Sequence, residues 1–378
     1  MLKDKKRIKI LYVVSRLRRH GPISQLYNIV NHLNTEIFKP VILTLSPEAN
    51  DSRLDDFLDI GIEFHSLGLS RFRGLWKGCK QLSAFINSYP VDVLHASDPR
   101  SSIVISKISH TIPKIITRRE AFYKAKILDD GYFLGVINEL FHSSACRKAD
   151  RVVAVSKFVR DAAGSCKEKV KIDVIYNGVE TKNFKPVTKD VFKELRKKLN
   201  LPCDKNIFIT AGWFNKRKDP LTLVKGFLNS NIADRSIFLF LGDGPLRGRC
   251  EKIAKGHSNM RFLGFVDNVV EYIQASNYFV LSSLFEGCPN AAMEGLACGV
   301  PVILSDIGPH CEILELNSKA GYLFTTGNPK SLAKQLEKIT TSDYSQLRQG
   351  ALSIIKEHLN AKRMSMQYQD LYKEITNI

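Results

Sequence analysis

Short runs of apolar residues alternate along the chain with longer amphipathic stretches. In the first half, six runs are typical of buried strands: IKILYVVS (8–15), KPVILTLS (39–46), VDVLHAS (91–97), PKIITR (113–118), DRVVAVS (150–156) and KIDVIYNGV (171–179). Helical patterns lie between them, for example over 23–34 and 135–149. Buried strands that alternate with helices indicate βαβ units and a parallel sheet.

A polar stretch, YNGVETKNFKPVTKD (176–190), interrupts this alternation. Six further runs follow: NIFITAG (206–212), SIFLFLGDG (236–244), MRFLGFV (260–266), NYFVLSS (277–283), VPVILSD (300–306) and GYLF (321–324). The last 48 residues have helical patterns. We therefore predict an α/β protein of two doubly wound, Rossmann-like domains facing across a cleft. The predicted boundaries are 1–180 for the first domain, 181–190 for the linker, 191–355 for the second domain and 356–378 for a C-terminal helix that packs back on the first.

Composition adds a strong positive charge to this picture. The 378 residues include 56 Lys and Arg against 38 Asp and Glu, a net charge of +18. Such an excess suggests nucleic acid, an anionic membrane surface or phosphorylated substrates as partners, although a solvated basic surface is the alternative. The eight cysteines show no CxxC pair or zinc-site spacing, which favours reduced thiols in a cytoplasmic protein. No apolar run is long enough to span a membrane.

Loops that could bind phosphate follow several predicted strands. Gly21-Pro22 opens a helix at Ser24, whose first N–H groups could hold an anion. Lys216, Arg217 and Lys218 crowd the next candidate loop, where cations could neutralise a diphosphate. An ordinary strand-to-helix turn and a solvated charge run are the respective alternatives. The sequence DGPLRG (243–248) does not match the dinucleotide fingerprint GxGxxG.

Two glutamates bracket a turn between two buried strands. Glu286 follows the strand NYFVLSS, and Glu294 falls in a predicted helix over 290–298 with Asn290 as N-cap and Gly299 after its end. The tight loop between them can form an anion nest with a carboxylate on each side. A nucleotide sugar has the complementary form, a diphosphate flanked by two polyols. The alternative is that Glu294 only adds charge near a helix start.

A set of ordered motifs resembles the retaining, nucleotide-sugar-dependent GT-B glycosyltransferases of the family-four group. The motifs are HGPISQLYNI, VAVSKFVRD, VIYNGVE, NKRKDP, LGDGPLR, RFLGFVDNV, FEGCPNAAMEGLACGVPVI and GPHCEIL. The resemblance spans roughly residues 8 to 325. It implies an acceptor-side first domain, a second domain that binds the donor nucleotide, and a hexosyl transfer with retained anomeric configuration.

The resemblance also implies roles for individual residues. Glu294 would bind the ribose, Glu286 the hydroxyls of the donor sugar, and Lys218 the phosphates. Further donor-binding residues implied in this way are Gly21, Pro22, Arg217, Gly244, Phe265, Val266, Gly287, Cys288, Pro289, Asn290 and Ala291.

The sequence departs from the family pattern at two places. Trp213 stands where many relatives carry Arg, and Arg217 is the candidate to supply that charge. The loop ITRREAF (116–122) replaces a histidine that many relatives carry near the reacting sugar. Either Arg118 or Arg119 is then the candidate catalytic residue that would face the acceptor in place of this histidine.

These features lead to a set of functional expectations. No Asp-x-Asp motif occurs, so we expect no metal and no cofactor, with cations stabilising the leaving diphosphate. We expect a UDP-sugar rather than a GDP-sugar as donor, a glycan or lipid-linked acceptor in bacterial surface polysaccharide synthesis, and no nucleic acid. The segment RFRGLWKGCK (71–80) would form an amphipathic helix on an anionic membrane surface at the inner face of the cell membrane, or pack on its own domain. The alternative functions are a nucleotide-sugar epimerase of the same fold and a basic nucleic-acid-binding protein.

Overall fold

The computed structural model describes residues 7–70, 74–109, 111–120, 132–166 and 168–377. The chain divides into two compact units. The first comprises Met1–Gly178 with Ala361–Ile378, and the second comprises Val179–Asn360.

The first unit contains a seven-stranded sheet in the order β3-β2-β1-β4-β5-β6-β7 with parallel pairing throughout. Its strands are β1 Ile8–Val14, β2 Phe38–Thr44, β3 Glu63–Ser66, β4 Val93–Ala96, β5 Lys114–Arg118, β6 Arg151–Ala154 and β7 Ile172–Val174. Its helices include α1 Gly21–Asn31, α2 Leu54–Asp59, α3 Gly74–Ser88, α4 Pro99–Ile105, α5 Tyr132–Cys146, α6 Lys157–Asp161 and the C-terminal helix Ala361–Thr376.

The second unit contains a six-stranded parallel sheet in the order β10-β9-β8-β11-β12-β13. Its strands are β8 Asn206–Ala211, β9 Ser236–Leu241, β10 Met260–Gly264, β11 Tyr278–Leu281, β12 Val302–Ser305 and β13 Gly321–Phe324. Its helices are α7 Lys189–Lys198, α8 Pro220–Leu228, α9 Arg247–Ile253, α10 Val269–Gln274, α11 Asn290–Ala297, α12 Gly308–Leu316, α13 Pro329–Thr340 and α14 Tyr344–Glu357.

Each sheet has a point at which the order of its strands reverses. In the first sheet β1 lies beside both β2 and β4, and in the second β8 lies beside both β9 and β11. At such a point the loops that follow the two adjacent strands, β1 and β4 or β8 and β11, lead to opposite faces of the sheet. Their separation opens a crevice at the carboxyl edge of the sheet. The loops after β8 and β11 therefore lie where an α/β sheet binds its ligands.

All twelve predicted strands are present, although most end earlier than predicted. The sequence pattern missed β3, whose residues Glu63–Ser66 are partly exposed and polar because this strand pairs only with β2 at the edge of the sheet. Helix α1 begins at Gly21 rather than at Ser24, since Pro22 fits the first helical turn. Helix α11 begins at Asn290, so Pro289 and not Asn290 is the N-cap, while Gly299 follows the helix in a left-handed conformation with φ 73° as predicted.

The predicted amphipathic segment 71–80 is only partly described. Residues 71–73 and the side chains of 74–76 lie outside the described residues, and α3 covers Gly74–Ser88. The proposed apolar face of this segment stays a prediction.

A buried hydrogen-bond network joins the C-terminal helix to the first sheet. The hydroxyl of Tyr372 lies 2.9 Å from that of Tyr12 and 2.8 Å from Nδ1 of His95. Nε2 of His95 lies 2.8 Å from the hydroxyl of Thr117. Burial lowers the pKa of His95 to about 3, so the imidazole is neutral. Because buried polar groups need partners, this network fixes the helix against β1, β4 and β5.

The strand ends of the second sheet approach one another closely because they carry glycine. Gly242 has φ 120°, and its N–H donates to the carbonyl of Gly264 over 2.7 Å. A Cβ atom on Gly242 would lie 1.9 Å from the carbonyl oxygen of Gly212. The backbones after β8, β9 and β10 are therefore packed against one another without side chains between them.

We expect Gly242→Ala to destabilise the second unit by at least about 2 kcal/mol, because the new methyl group meets backbone and the residue must hold a positive φ. Gly248→Ala is the matched control, since Gly248 lies in α9 with nothing within 4 Å of the position that its new methyl group would take. It should be neutral or stabilising by up to about 1 kcal/mol. Urea denaturation measures both, and equal midpoints for the two variants would contradict this packing.

Candidate functional site

Two loops meet at the strand-order reversal of the second sheet. The hydroxyl of Ser282, just after β11, donates to the carbonyls of Lys218 (3.0 Å) and Asp219 (2.7 Å) after β8. The N–H of Leu284 donates to the carbonyl of Arg217 over 2.7 Å. These bonds fix the cationic loop and the glutamate-bearing loop against each other.

The local backbone positions Lys218 at the start of a helix. Its N–H donates to Oδ1 of Asn215 over 3.0 Å, which closes the loop. The next residue, Asp219, has a left-handed conformation with φ 46°, and Pro220 then begins α8. A non-glycine residue with this φ is uncommon and persists only where its surroundings hold it. The turn thereby directs the Lys218 side chain towards the loop after β11.

Glu286 is a buried carboxylate paired with cations. The residue is 5% exposed and its carboxylate forms a salt bridge with the ammonium group of Lys218. The hydroxyl of Ser283 donates to the same oxygen that Lys218 contacts, Oε1, over 2.8 Å, and Nη1 of Arg217 lies 4.0 Å from the other oxygen, Oε2. Burial alone would raise the pKa of Glu286, but Lys218 and Arg217 hold it below its usual value. The carboxylate is therefore ionised and fixed in position.

Glu294 has the opposite electrostatic character. It is the fifth residue of α11 and is partly buried, and within the described ranges its carboxylate makes no hydrogen bond or salt bridge. Burial raises its pKa to about 7, with Lys218 opposing the shift. The charge of Lys218 therefore acts on both glutamates, although only Glu286 is in direct contact with it.

His310 is a site residue that sequence reasoning missed. The side chain is fully buried, and Nδ1 lies 2.9 Å from the carbonyl oxygen of Ser305 and 3.1 Å from its hydroxyl. That hydroxyl donates to the carbonyl of Ser283 over 2.7 Å. Burial lowers the pKa of His310 to about 4, although Glu286 opposes this. The histidine in GPHCEIL was the available signal, but its proximity to Glu286 depends on the tertiary fold.

The other residues of the loop after β11 that are predicted to bind the donor lie between β11 and the first turn of α11. Gly287 and Pro289 are buried, and Cys288 and Asn290 are half-buried. The N–H of Asn290 donates to the carbonyl of Cys288 over 3.0 Å, so this amide is already engaged. Ala291 is half-buried in the first turn of α11.

Three further predicted residues follow β9 and β10. Gly244 has φ 146° and packs against the backbone of Phe214. Phe265 is 83% exposed and Val266 is half-buried directly after β10. All three therefore lie at the carboxyl edge of the second sheet.

The candidate residues of the first unit form a separate group. Gly21 and Pro22 begin α1 directly after the β1 loop, and the N-cap His20 provides no side-chain cap. Nε of Arg119, after β5, donates to the carbonyl of Ser97 over 3.3 Å. The pKa of His20 is lowered by burial and by the charge of Arg119. Arg119 thus lies near the start of α1.

The structure corrects the candidacy of Arg118. Its side chain is fully buried, with Nη2 2.5 Å from Oε1 of Glu139 and Nη1 3.3 Å from the hydroxyl of Ser143. Arg119, the first residue after β5, instead donates to the carbonyl of Ser97, so the two arginines have different partners. Arg118 binds α5 within its unit, and Arg119 is the remaining candidate.

The described residues offer neither a metal-binding cluster nor a membrane-spanning helix. Among the residues that the structure describes, no cluster of three or more His, Cys, Asp or Glu side chains could hold a metal ion. Metal independence itself stays a prediction. Over the same residues, no helix combines the length and hydropathy needed to cross a membrane.

Comparisons with known proteins identify relatives of both halves. A family model described as Glycosyltransferase Family 4 matches residues 21–183, and one described as Glycosyl transferases group 1 matches residues 191–352. The UDP-Gal:alpha-D-GlcNAc-diphosphoundecaprenol alpha-1,3-galactosyltransferase of Escherichia coli is 32% identical over 180 residues, which are 45% of this chain and 46% of that protein. The chain thus spans about half the length of this relative. The O-antigen biosynthesis glycosyltransferase WclY of Escherichia coli is 22% identical over 97% of this chain and 99% of its own length.

Solved structures resemble the whole chain. Sucrose-phosphate synthase from Thermosynechococcus elongatus has a TM-score of 0.83 at 20% identity and covers 98% of this chain and 100% of its own. Anabaena HepE in complex with UDP-glucose has a TM-score of 0.80 at 15% identity, with 97% and 100% covered. These likenesses confirm the predicted GT-B fold.

The raised pKa of Glu294 predicts a pH-dependent stability. A carboxyl whose pKa is about 7 in the folded protein and 4.5 in its ordinary state stabilises the fold at low pH and loses that contribution as the pH rises through 7. The unfolding free energy of the native protein should therefore fall relative to Glu294→Gln between pH 4.5 and pH 7, by up to about 3 kcal/mol.

Urea denaturation of both proteins across this pH range measures the difference. Glu286→Gln is the matched control: the pKa of Glu286 is lowered, so its contribution is lost only as the pH falls below the ordinary value of 4.5. If the difference in unfolding free energy between the native protein and Glu294→Gln stays constant from pH 4.5 to pH 7, the pKa of Glu294 is not raised by burial.

Proposed function

Because the chain belongs to the GT-B glycosyltransferases of the family-four type, we propose that it moves a sugar from a nucleoside-diphosphate sugar to an acceptor hydroxyl with retention of the anomeric configuration. The observation that carries the proposal is the buried Glu286–Lys218 salt bridge beside the half-buried Glu294 at the strand-order reversal.

The chemistry of this group fits the parts of a nucleotide sugar. Lys218 and Arg217 supply positive charge for a diphosphate. Glu286 is ionised and accepts hydrogen bonds from sugar hydroxyls, and Glu294 accepts them from the ribose. Each of the three ligand parts then meets a group of suitable charge within one pair of loops.

In the proposed reaction, the acceptor oxygen forms a bond to C1 of the donor sugar as the bond from C1 to the diphosphate oxygen breaks. The acceptor proton passes to the departing diphosphate, so attack and departure occur on the same face. Negative charge grows on the leaving oxygens, and fixed cations stabilise it without reorganisation. Lys218 and Arg217 are the groups placed to do this, and we propose that no metal ion is needed.

The relatives support a UDP-sugar donor and a lipid-linked or glycan acceptor. HepE was solved with UDP and with UDP-glucose, and the Escherichia coli relative is named for UDP-Gal and a diphosphoundecaprenol-linked sugar. Another relative, 31% identical over 45% of this chain, is a putative teichuronic acid biosynthesis glycosyltransferase, TuaC, of Bacillus subtilis. We propose an acceptor in bacterial surface polysaccharide synthesis.

The two glutamates should separate nucleotide binding from sugar transfer. We expect Glu294→Gln to weaken UDP binding at pH 8 at least tenfold, because an amide replaces a charge-assisted hydrogen-bond acceptor worth about 1.5–3 kcal/mol. Glu286→Gln should bind UDP nearly normally yet lose most of its activity, because its proposed partner is the sugar. Calorimetry gives the affinities, and a transfer assay with a panel of UDP-sugars in excess EDTA gives the activity.

Three results would oppose the proposal. Full transfer by Glu286→Gln would remove its role, and unchanged UDP affinity in Glu294→Gln would remove the ribose assignment. Activity that is lost in EDTA and restored by Mg²⁺ or Mn²⁺ would contradict the metal-free account.

The segment 71–80 generates a separate prediction about membranes. We expect the native protein to bind vesicles that contain anionic lipid at low salt and to leave them at high salt, because each basic residue near such a surface contributes about 1 kcal/mol. A variant in which the four cations of the segment are replaced with Gln should no longer bind vesicles, while its transfer to a water-soluble acceptor analogue persists. The four replaced residues are Arg71, Arg73, Lys77 and Lys80. Vesicle co-sedimentation measures this.

The control variant removes the same charge from the second unit. It replaces four exposed lysines with Gln: Lys182, Lys189, Lys193 and Lys197. It should still bind vesicles. Equal loss of binding in both variants would mean that overall charge, and not this segment, attracts the protein to the lipid.

A further inference from the structure

We propose that Trp213 is a specificity-determining residue that stacks its indole ring on the carbon–hydrogen face of the donor sugar. This inference rests on the proposed function, since it requires a nucleotide sugar at the carboxyl edge of the second sheet.

The backbone turns Trp213 outward at the end of β8. Its carbonyl accepts a hydrogen bond from the N–H of Asn215 over 3.0 Å, and its neighbour Phe214 packs inward at 3% exposure. Trp213 itself is 55% exposed. One large aromatic side chain is thus held at the sheet edge by a loop that buries the next one.

Trp213 adjoins the charged pair of the site. It lines the same small cavity as Lys218 and Pro220, and the ammonium group of Lys218 contacts Glu286. The aromatic residue and the carboxylate are therefore both neighbours of Lys218. A pyranose ring has hydroxyls around its rim and carbon–hydrogen bonds on its faces, so a carboxylate and an aromatic face together suit its two surfaces.

Within the described part of the molecule, Trp213 has neither an aromatic nor a cationic partner. No aromatic ring stacks on Trp213 there, and no Lys or Arg stands over it, although other aromatic rings in the protein have such partners. Aromatic stacking and cation–π contacts within the described part of the second unit therefore do not account for a tryptophan at this exposed position. A sugar that covers the ring would account for it.

The charge of the same loop leaves position 213 available for an apolar contact. Lys218 is in contact with Glu286, and Nη1 of Arg217 lies 4.0 Å from that carboxylate, so the loop already supplies two cations for the proposed diphosphate. The residue at 213 need not add a third. An aromatic ring at position 213 can therefore contact the sugar, while Lys218 and Arg217 together still provide positive charge for the diphosphate.

The chain allows a direct optical test, because Trp76 and Trp213 are its two tryptophans. In a Trp76→Phe background, the fluorescence of Trp213 alone is followed while UDP, UDP-glucose, UDP-galactose or UDP-N-acetylglucosamine is added. We expect the donor sugar nucleotide to change the emission clearly more than UDP does. Trp213→Ala, measured by calorimetry, should lower affinity for that sugar nucleotide about tenfold and leave UDP affinity within about twofold.

Two further variants serve as controls. Trp213→Phe keeps an aromatic face and should retain most of the affinity for the sugar nucleotide. Phe141→Ala removes another aromatic side chain, 60% exposed in α5, and should change neither affinity. Since Trp213 is exposed, its variants should unfold at the native temperature.

The outcomes separate this inference from the proposed function. Equal losses of UDP and UDP-sugar affinity in Trp213→Ala would overturn the inference, because the ring would then act on the nucleotide or on the loop. Unchanged affinities would overturn it too, with the function intact. A native protein that binds none of these uridine nucleotides would overturn both this inference and the proposed UDP-sugar donor, and this is visible before any variant is made.

Discussion

The second unit depends on one requirement: the buried carboxylate of Glu286 must keep its cation. A charge removed from water costs several kcal/mol unless a partner and hydrogen bonds compensate it. Lys218 is that partner, and it comes from a loop 68 positions earlier in the chain. Each feature that positions Lys218, including the left-handed Asp219 and the hydrogen bonds from Ser282, therefore serves the same charge pair. The loops meet because an unpaired Glu286 in this place would be unstable.

The same cation explains why two glutamates of one motif differ in acidity. Both are desolvated, which raises a carboxyl pKa, but only Glu286 has Lys218 in direct contact and Arg217 at 4.0 Å. Glu294 experiences the Lys218 charge from farther away, so desolvation dominates and its pKa rises to about 7. One carboxyl with a lowered pKa and one with a raised pKa thus feel the same ammonium ion. This difference is compatible with the proposed division between sugar and ribose binding, which rests on the family resemblance.

The sequence predicted the sheets well because most strands are buried on both faces and therefore appear as continuous apolar runs. It missed β3, since an edge strand such as Glu63–Ser66 lacks that pattern. The spacing of Glu286 and Glu294 indicated the site, as did the cations at 216–218. The choice between Arg118 and Arg119 could not be made from the strand alone. It depends on Glu139, which lies in a helix 21 positions away and faces one side of the sheet.

The charge balance of the site links the two ends of the proposed donor. Lys218 and Arg217 carry two positive charges and Glu286 removes one, so the local excess depends on whether Glu294 is ionised. When Glu294 is protonated, the site is more positive and attracts a diphosphate more strongly, but Glu294 is then a poorer acceptor for ribose hydroxyls. When it ionises, ribose binding improves and the attraction for phosphate weakens. A carboxyl with a pKa of about 7 makes these opposing effects change together in the physiological range. In the proposed function, burial of Glu294 would therefore couple recognition of the nucleoside to the electrostatic field that stabilises the leaving group.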